Sequence, residues 1–337
     1  MPSAPLLRTK PRMLRVFGHE CGAVPVEAGK LSSLPDGAIW IDLFEPTREE
    51  EALAEKLVGT NIPTREELSE IEPSSRLYQK RGMAFLTMSV LYGVVDGHPD
   101  SDPIGFILTD KHLVSVRYID PKPFIIFAEH IYAEPDMAAD ARSVFVRLLD
   151  AIVDRLADEF EVAGRDIETI SKHIFERHTH RSVRNPELRL EAVLMRIGKA
   201  QMLLAKLRET AVSTTRLLTF LSSIDAMDGD TANRRHVHSL ISDAKALSDH
   251  SNFLGDNLTF LLDASLGLIS LEQNNVMKIF SIFAVVFMPP TLVAGIYGMN
   301  FVHMPELKWL FGYPFALGLI LASAIIPMWF ARRRGWL

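Results

Sequence analysis

The chain has 337 residues and a formal net charge of −6 at pH 7. This balance argues against a nucleic-acid-binding protein, for which an excess of basic residues is expected. The length is enough for one large or two ordinary domains. The single cysteine excludes an intrachain disulfide and a zinc site built on several thiolates.

The first 135 residues alternate between strand-like and helix-like segments. The predicted strands cover residues 13–18, 38–44, 83–95 and 103–118, the last folded as a hairpin about Asp110 and Lys111. A helix is predicted over 46–58, because Pro46 and Thr47 stand at its start and acids fill its first turn. We therefore predict an α/β domain over residues 1–135.

Long helices are predicted to follow. Apolar residues recur at spacings of three and four through the region 136–233, as in amphipathic helices. From residue 234 to the first strongly apolar segment there is no strong helix breaker. We therefore predict one helix over 234–297, with its membrane part at about 277–297.

Two apolar segments are predicted to cross a membrane. Residues 279–299 and 311–331 carry no charged side chain, and each would reach about 30 Å as a helix, the thickness of a bilayer's hydrocarbon. Two buried helices of a soluble core are the less favoured alternative. Basic residues flank the pair at Lys278 and at 332–334, which predicts that both ends are cytoplasmic.

These segments complete the predicted division of the chain. An extracytoplasmic loop covers 298–311, the second membrane helix covers 312–331, and a basic cytoplasmic tail covers 332–337. The predicted location is the inner or plasma membrane, with lipid as a partner.

A face of small, polar and flexible residues runs along the first membrane helix. Counting back from Gly298 in alternate steps of three and four gives Gly295, Thr291, Met288, Ala284, Ser281, Met277 and Asn274. Bulky apolar residues fill the positions between them. A small-residue face is typical of tight packing between membrane helices, and it is also what a pore built from several copies would present. Both interpretations stay open on spacing alone.

The sequence YGMNF at 297–301, with MPEL at 304–307 and a second span that ends in basic residues, resembles the CorA family of magnesium channels. The similarity is strong over about 270–337. It implies a homopentamer in which the first spans line a central pore and the Gly-Met-Asn loop forms an outer selectivity ring. The implied filter residues are Gly298, Met299 and Asn300, and the implied pore-facing positions coincide with the face found by counting.

Regulation by cytoplasmic Mg²⁺ is also implied by the resemblance. Residues 40–76 contain ten acids and four bases, which by themselves are typical of a solvated surface. In the family, acids at subunit interfaces bind Mg²⁺ and hold the channel shut. By position, Glu67 of one subunit and Asp243 of the next are the candidates, and Asp263 is the candidate for an acidic ring at the inner mouth of the pore.

The expected function is potential-driven uptake of Mg²⁺, with cobalt as a further substrate and with no enzymatic activity or organic cofactor. No phosphate-binding loop of the GxxxxGK[ST] type is present. One alternative is the family's zinc-transporting branch, which is linked to proton coupling and usually departs from Gly-Met-Asn. A second is a non-conducting protein whose two spans anchor a metal-sensing scaffold.

Overall fold

The computed structural model describes residues 13–18, 22–26, 34–70, 72–134, 139–175, 186–224, 231–299, 304–305 and 309–334. The chain divides into two units, Met1–Leu261 and Leu262–Leu337. The strands are β1 (Met13–Gly18), β2 (Gly22–Val26), β3 (Ala38–Phe44), β4 (Leu77–Lys80), β5 (Met83–Tyr92), β6 (Asp100–Leu108) and β7 (Leu113–Arg117). The helices are α1 (Arg48–Val58), α2 (Arg65–Leu68), α3 (Pro73–Arg76), α4 (Lys122–Ala133), α5 (Ala141–Phe175), α6 (Pro186–Ser223), α7 (Thr231–Tyr297) and α8 (Gly312–Arg333).

The strands form one seven-stranded sheet in the order β2-β1-β3-β7-β6-β5-β4. Neighbouring strands are antiparallel except β3 and β7, which run parallel with Trp40 opposite Leu113. The predicted hairpin is confirmed, because β6 and β7 pair antiparallel with Leu108 opposite Leu113. Strands β2 and β4 and the short helices α2 and α3 were not predicted.

The sheet has an apolar core on each face. Successive side chains of a strand point to opposite faces, so Trp40 joins one core while Ile41 joins the other. The first core includes residues from α4 to α7, and the second includes Leu68 of α2. The predicted α/β domain is therefore confirmed as a sheet covered on both faces.

Helix α1 begins as its sequence predicts. Thr47 is its N-cap, and the Thr47 Oγ1 accepts a hydrogen bond from the Glu50 backbone N at 3.3 Å. In return, the Glu50 Oε2 accepts one from the Thr47 backbone N at 2.8 Å, which completes a capping box. Gly59 ends the helix at φ 77°, the left-handed region that favours glycine. The helix starts at Arg48 and leaves Pro46 outside it.

The long helices are confirmed. Helices α5 and α6 cover the predicted amphipathic segments, and α7 extends without interruption over 67 residues, with Pro289 and Pro290 inside it. Both α7 and α8 contain windows long and apolar enough to cross a membrane. Within those windows few residues are buried, 0% in α7 and 6% in α8, so the apolar side chains are left for lipid or for other chains.

A buried ion pair joins the two parallel strands. The Arg117 guanidinium of β7 donates from Nε to Asp42 Oδ1 and from Nη2 to Asp42 Oδ2, both at 3.0 Å. Both side chains are 0% exposed. The Ser115 Oγ donates to Asp42 Oδ1 at 2.7 Å and accepts from the Trp40 indole N at 2.9 Å. This network holds charged groups inside the sheet only because nearly every donor and acceptor is satisfied.

Candidate functional site

The predicted pore-lining residues all lie on α7. Because an α-helix has 3.6 residues per turn, positions spaced alternately by three and four fall on one side of it. All seven are exposed in the structure: Asn274, Met277, Ser281, Ala284, Met288, Thr291 and Gly295. The helix is unbroken through this region, so the side chains form a continuous exposed face.

A shallow groove of about 640 Å³ runs along the C-terminal half of this face. It is lined by Ala284, Met288, Thr291 and Gly295 together with their bulkier neighbours Phe287, Leu292, Ile296 and Met299. Because Ala284 has a small side chain and Gly295 has none, space remains between the larger side chains that line the groove. We call this set the α7 groove.

The hydroxyl groups on the same face are turned back onto the helix. The Ser281 Oγ donates to the Met277 carbonyl at 2.8 Å, and the Thr291 Oγ1 donates to the Phe287 carbonyl at 2.7 Å. Such bonds satisfy a hydroxyl proton in an apolar environment. Each hydroxyl oxygen keeps its lone pairs, which can accept hydrogen bonds.

The opposite side of α7 differs in burial. Half-buried side chains recur there at Ile282, Val286, Pro289, Val293 and Tyr297. This spacing of three and four places them about 150° around the helix from the predicted pore face. The two sides of α7 therefore differ in chemistry and in burial.

The predicted filter begins where α7 ends. The Gly298 backbone N donates to the Ala294 carbonyl at 2.9 Å, and the Met299 N donates to the Ile296 carbonyl at 3.2 Å. A Cβ atom at position 298 would lie 3.1 Å from the Ala294 oxygen, so a larger residue would require a small shift of the helix end. Asn300 lies outside the described residues.

The predicted regulatory acids lie apart from one another in the chain. Glu67 belongs to α2, where its carboxylate caps the helix by accepting from the Thr64 backbone N at 2.8 Å. Asp243 and Asp263 are both exposed on α7. Among the described residues no group of three or more His, Cys, Asp or Glu side chains could hold a metal ion. Within one chain, then, no metal site is complete over that part of the sequence.

Asp243 has acidic neighbours that the sequence analysis missed. Burial, together with the charges of Asp150, Asp158 and Asp243, raises the pKa of Asp154 on α5, while His236 opposes the shift. The His236 Nε2 lies 3.3 Å from Asp150 Oδ1. The spacing of Asp150, Asp154 and Asp158 by four was visible in the sequence as one acidic helix face, but only the fold places Asp243 beside it.

Comparison with known proteins shows how far the similarity extends. The sequence model of the family described as CorA-like Mg²⁺ transporter protein matches residues 35–333. The chain belongs to this family. The match includes the α/β domain and the long helices, beyond the membrane segments whose motifs suggested it.

Individual CorA proteins resemble the chain over nearly its full length. The magnesium transport protein CorA of Salmonella typhimurium is 30% identical over 312 residues, which cover 93% of this chain and 96% of that protein. The structure of the CorA magnesium transporter from Methanocaldococcus jannaschii matches with a TM-score of 0.78 at 18% identity, and it covers 98% of this chain and 100% of that one. The CorA fold is therefore shared as a whole.

The cytoplasmic domain of a differently named protein also occurs among the structural matches. The ZntB cytoplasmic domain from Vibrio parahaemolyticus matches with a TM-score of 0.57 at 10% identity, over 77% of this chain and 99% of that one. At this identity the likeness shows a shared fold alone.

Proposed function

We propose that this chain assembles as a homopentamer in the cell membrane and conducts Mg²⁺ into the cell. Membership of the CorA-like family supports this proposal, as does the 30% identity to a magnesium transport protein over nearly the whole chain. The proposed arrangement places both termini in the cytoplasm, α7 residues 277–297 and α8 residues 312–331 in the bilayer, and the loop 298–311 outside.

One observation carries the proposal: the exposed face of α7 leads without interruption to the Gly-Met-Asn sequence. A single copy presents this face on one side only and cannot enclose a pore. Several copies with the face turned inward would form a pore lined by small and weakly polar groups. The family resemblance implies that five copies do so.

The proposed filter is a ring of Asn300 side chains with Gly298 and Met299 beside it. Mg²⁺ holds its six waters tightly and loses them slowly, so a fast pathway must contact the water shell rather than replace it. Neutral amide oxygens can accept hydrogen bonds from those waters. A carboxylate ring would instead bind the cation deeply and slow its release.

The proposed gate lies deeper in the pore, at Met288 and Met277. Both side chains are exposed on the α7 face, by 70% and 64%. A thioether offers no useful ligand to a hard cation. Rings of these side chains would form apolar constrictions that exclude water and so block hydrated ions.

The proposed driving force is the membrane potential. A divalent cation gains about 4.6 kcal/mol on crossing 100 mV, at roughly 2.3 kcal/mol per charge. Neither apolar segment, 279–299 or 311–331, carries an Asp, Glu, His, Lys or Arg side chain that could relay protons near neutral pH. The potential alone therefore accounts for uptake without nucleotide hydrolysis or proton coupling.

The proposed regulation is closure by cytoplasmic Mg²⁺ bound between subunits, at Glu67 of one copy and Asp243 of the next. Asp263 would form a further acidic ring at the inner mouth. It precedes Asn274 by eleven residues, which is close to three helical turns, so both side chains lie on the same face of α7. An acidic ring there would concentrate cations at the pore entrance.

Replacement of Asp243 by asparagine tests this regulation. We expect Asp243→Asn to raise the internal Mg²⁺ concentration needed for half-inhibition of uptake at least about tenfold, since a carboxylate ligand of the cation is lost.

Inhibition of the native protein should also weaken as the pH falls toward the raised pKa of Asp154, because protonation removes charge from the neighbouring acidic group. The measurement is Mg²⁺ uptake into proteoliposomes at graded internal Mg²⁺.

The matched control is Asp249→Asn, which removes an exposed carboxylate from the same helix, six residues further along. This control variant should need the same internal Mg²⁺ concentration for half-inhibition of uptake as the native protein. An unchanged curve for Asp243→Asn as well would remove Asp243 from the regulatory site.

The function itself is tested by ion uptake into liposomes that contain the purified protein. Mg²⁺ and Zn²⁺ are supplied separately under an inside-negative potential and under a proton gradient. We expect Mg²⁺ entry that follows the potential. Zinc entry that follows the proton gradient, with little Mg²⁺ entry, would assign the protein to the zinc branch. No ion entry, with chemical cross-linking that stops at a dimer, would support the membrane-anchored scaffold.

A further inference from the structure

An arginine-lined groove lies within the unit Met1–Leu261, between α6, α7 and the sheet. It has a volume of about 600 Å³, within the usual range of small-molecule sites. Three guanidinium groups line it, from Arg76, Arg208 and Arg216. The polar residues that line it are Ser89, Gln201, Ser213, Ser251, Asn252 and Thr259. We call this the arginine groove.

None of its three arginines forms an ion pair with another described residue. Arg208 and Arg216 are exposed and make no hydrogen bond or ion pair within the described part of the chain. Arg76 uses only its Nε, which donates to the Glu70 carbonyl at 2.6 Å. Three guanidinium groups therefore remain open to an anion.

Two acids line the same groove beside the three arginines, Glu209 and Asp256. The Glu209 Oε2 accepts from the Ser101 Oγ at 2.7 Å and lies 3.8 Å from the Lys206 Nζ. The same Lys206 Nζ lies closer to Asp100 Oδ1, at 2.8 Å, so it does not neutralise Glu209 alone. Three guanidinium groups against two carboxylates leave one positive charge in excess, which favours an anionic ligand.

A buried hydroxyl in the groove lacks a partner. Ser251 is 2% exposed, and its Oγ makes no hydrogen bond among the described residues. Nearby, the Ser213 Oγ accepts from the Ser89 backbone N at 2.9 Å, which leaves its own proton to donate. A buried polar group without a partner is uncommon and destabilising. An acceptor atom on a bound ligand could accept a hydrogen bond from the Ser251 hydroxyl.

The spacing of the arginines indicates the shape of the ligand. Arg208 and Arg216 stand eight residues apart on α6, so their Cα atoms are separated by about 12 Å along the helix. One compact anion would not engage both groups fully, whereas a chain of linked anionic groups could. Arginine binds phosphate oxygens through paired hydrogen bonds. We propose that the arginine groove binds a linear polyphosphate anion.

The side chains of the groove would recognise the phosphate chain itself, which a nucleoside triphosphate and inorganic tripolyphosphate share. The test uses both as probes on the full chain in detergent, without divalent cations, by isothermal titration. We expect saturable binding of one probe per chain. Equal affinities would indicate recognition of the phosphate chain alone, and tighter binding of ATP would add a contribution from the nucleoside; both results support the site.

Substitutions in the arginine groove test whether the probe binds there. The double reversal Arg208→Glu with Arg216→Glu should weaken binding at least about tenfold. Ser251→Ala should weaken binding several-fold and yet raise the melting temperature of the free protein, because it removes an unpartnered buried hydroxyl. A role for Ser251 in structure alone would leave the affinity unchanged.

The matched control is Arg147→Glu, which reverses an exposed arginine of α5 outside the groove. The proposal is overturned if the native chain shows no saturable binding, or if Arg147→Glu weakens binding as much as the double reversal. It is also overturned if the double reversal leaves affinity unchanged but alters subunit assembly, which would assign the groove to a contact between copies. Because binding is measured without transport, failure here leaves the proposed channel function intact.

Discussion

Replacement of Asn300 by alanine is expected to reduce potential-driven Mg²⁺ uptake at least about tenfold. In the proposed pentamer this change removes five amide oxygens that hold the hydrated cation at the pore entrance. No other side chain of the Gly-Met-Asn sequence can replace them, because glycine has none and a thioether is a poor partner for the waters of a hard cation. The measurement is Mg²⁺ entry into proteoliposomes at a fixed inside-negative potential.

Two further variants at the same position separate charge from geometry. Asn300→Gln keeps the amide on a longer side chain and should retain more transport than alanine does. Asn300→Asp introduces a ring of carboxylates, which should bind Mg²⁺ more tightly and release it more slowly, so that uptake saturates at lower Mg²⁺. If Asn300 lies at a permeation site, Asn300→Gln should transport more Mg²⁺ than Asn300→Ala, and uptake by Asn300→Asp should saturate at a lower Mg²⁺ concentration.

The matched control is Asn61→Ala, which removes an exposed amide from the loop after α1. It should transport at the native rate. Asn300→Ala that also transports at the native rate, with equal amounts of pentamer in the liposomes, would refute the proposed filter.

Loss of the Arg117 guanidinium is expected to have the largest effect on stability. Arg117→Met leaves the fully buried Asp42 carboxylate without its main partner, and breaking a buried pair in this way costs about 3–5 kcal/mol. Arg117 also donates to the Ile119 carbonyl at 2.8 Å and to Asp120 Oδ1 at 2.6 Å. We expect the melting temperature of the N-terminal α/β domain to fall by about 10 °C.

The same pair predicts a dependence on pH. Burial acts to raise the pKa of Asp42, but the charge and hydrogen bonds of Arg117, with help from Arg15 and Ser115, outweigh it and lower that pKa. A carboxyl whose pKa is lowered by folding contributes stability above its unfolded pKa of about 3.9 and loses it as the pH falls through the folded value. Asp42→Asn should remove this part of the acid dependence.

A double variant separates the pair from the packing around it. Asp42→Leu with Arg117→Met removes both charges and should be more stable than either single variant, because neither a fully buried carboxylate nor a fully buried guanidinium is left without its partner. Arg147→Met, at an exposed site on α5, is the control and should melt near the native temperature. Thermal melts of the detergent-solubilised chain, followed by circular dichroism, give the melting temperatures of the native protein and of each variant.

Local chemistry in the sequence was sufficient to predict several elements of the fold. The helix start at Thr47 follows from its hydroxyl and the glutamate three residues later, and both hydrogen bonds are present. The long helix α7 follows from an unbroken periodic pattern, and the two membrane segments follow from length and lack of charge. Strands β2 and β4 escaped prediction because β2, GAVPV, is rich in residues that are uncommon in strands and β4 has only four residues.

The sequence by itself determined the family, the two candidate membrane segments and the face of α7 that ends at Gly298, because each depends on residues close together in the chain. Only the tertiary structure decided that β3 lies parallel to β7, so that Asp42 meets Arg117, and that Arg76 shares a groove with Arg208 and Arg216. These residues are separated by long stretches of chain. Their proximity comes from strand pairing and helix packing, which no local spacing encodes.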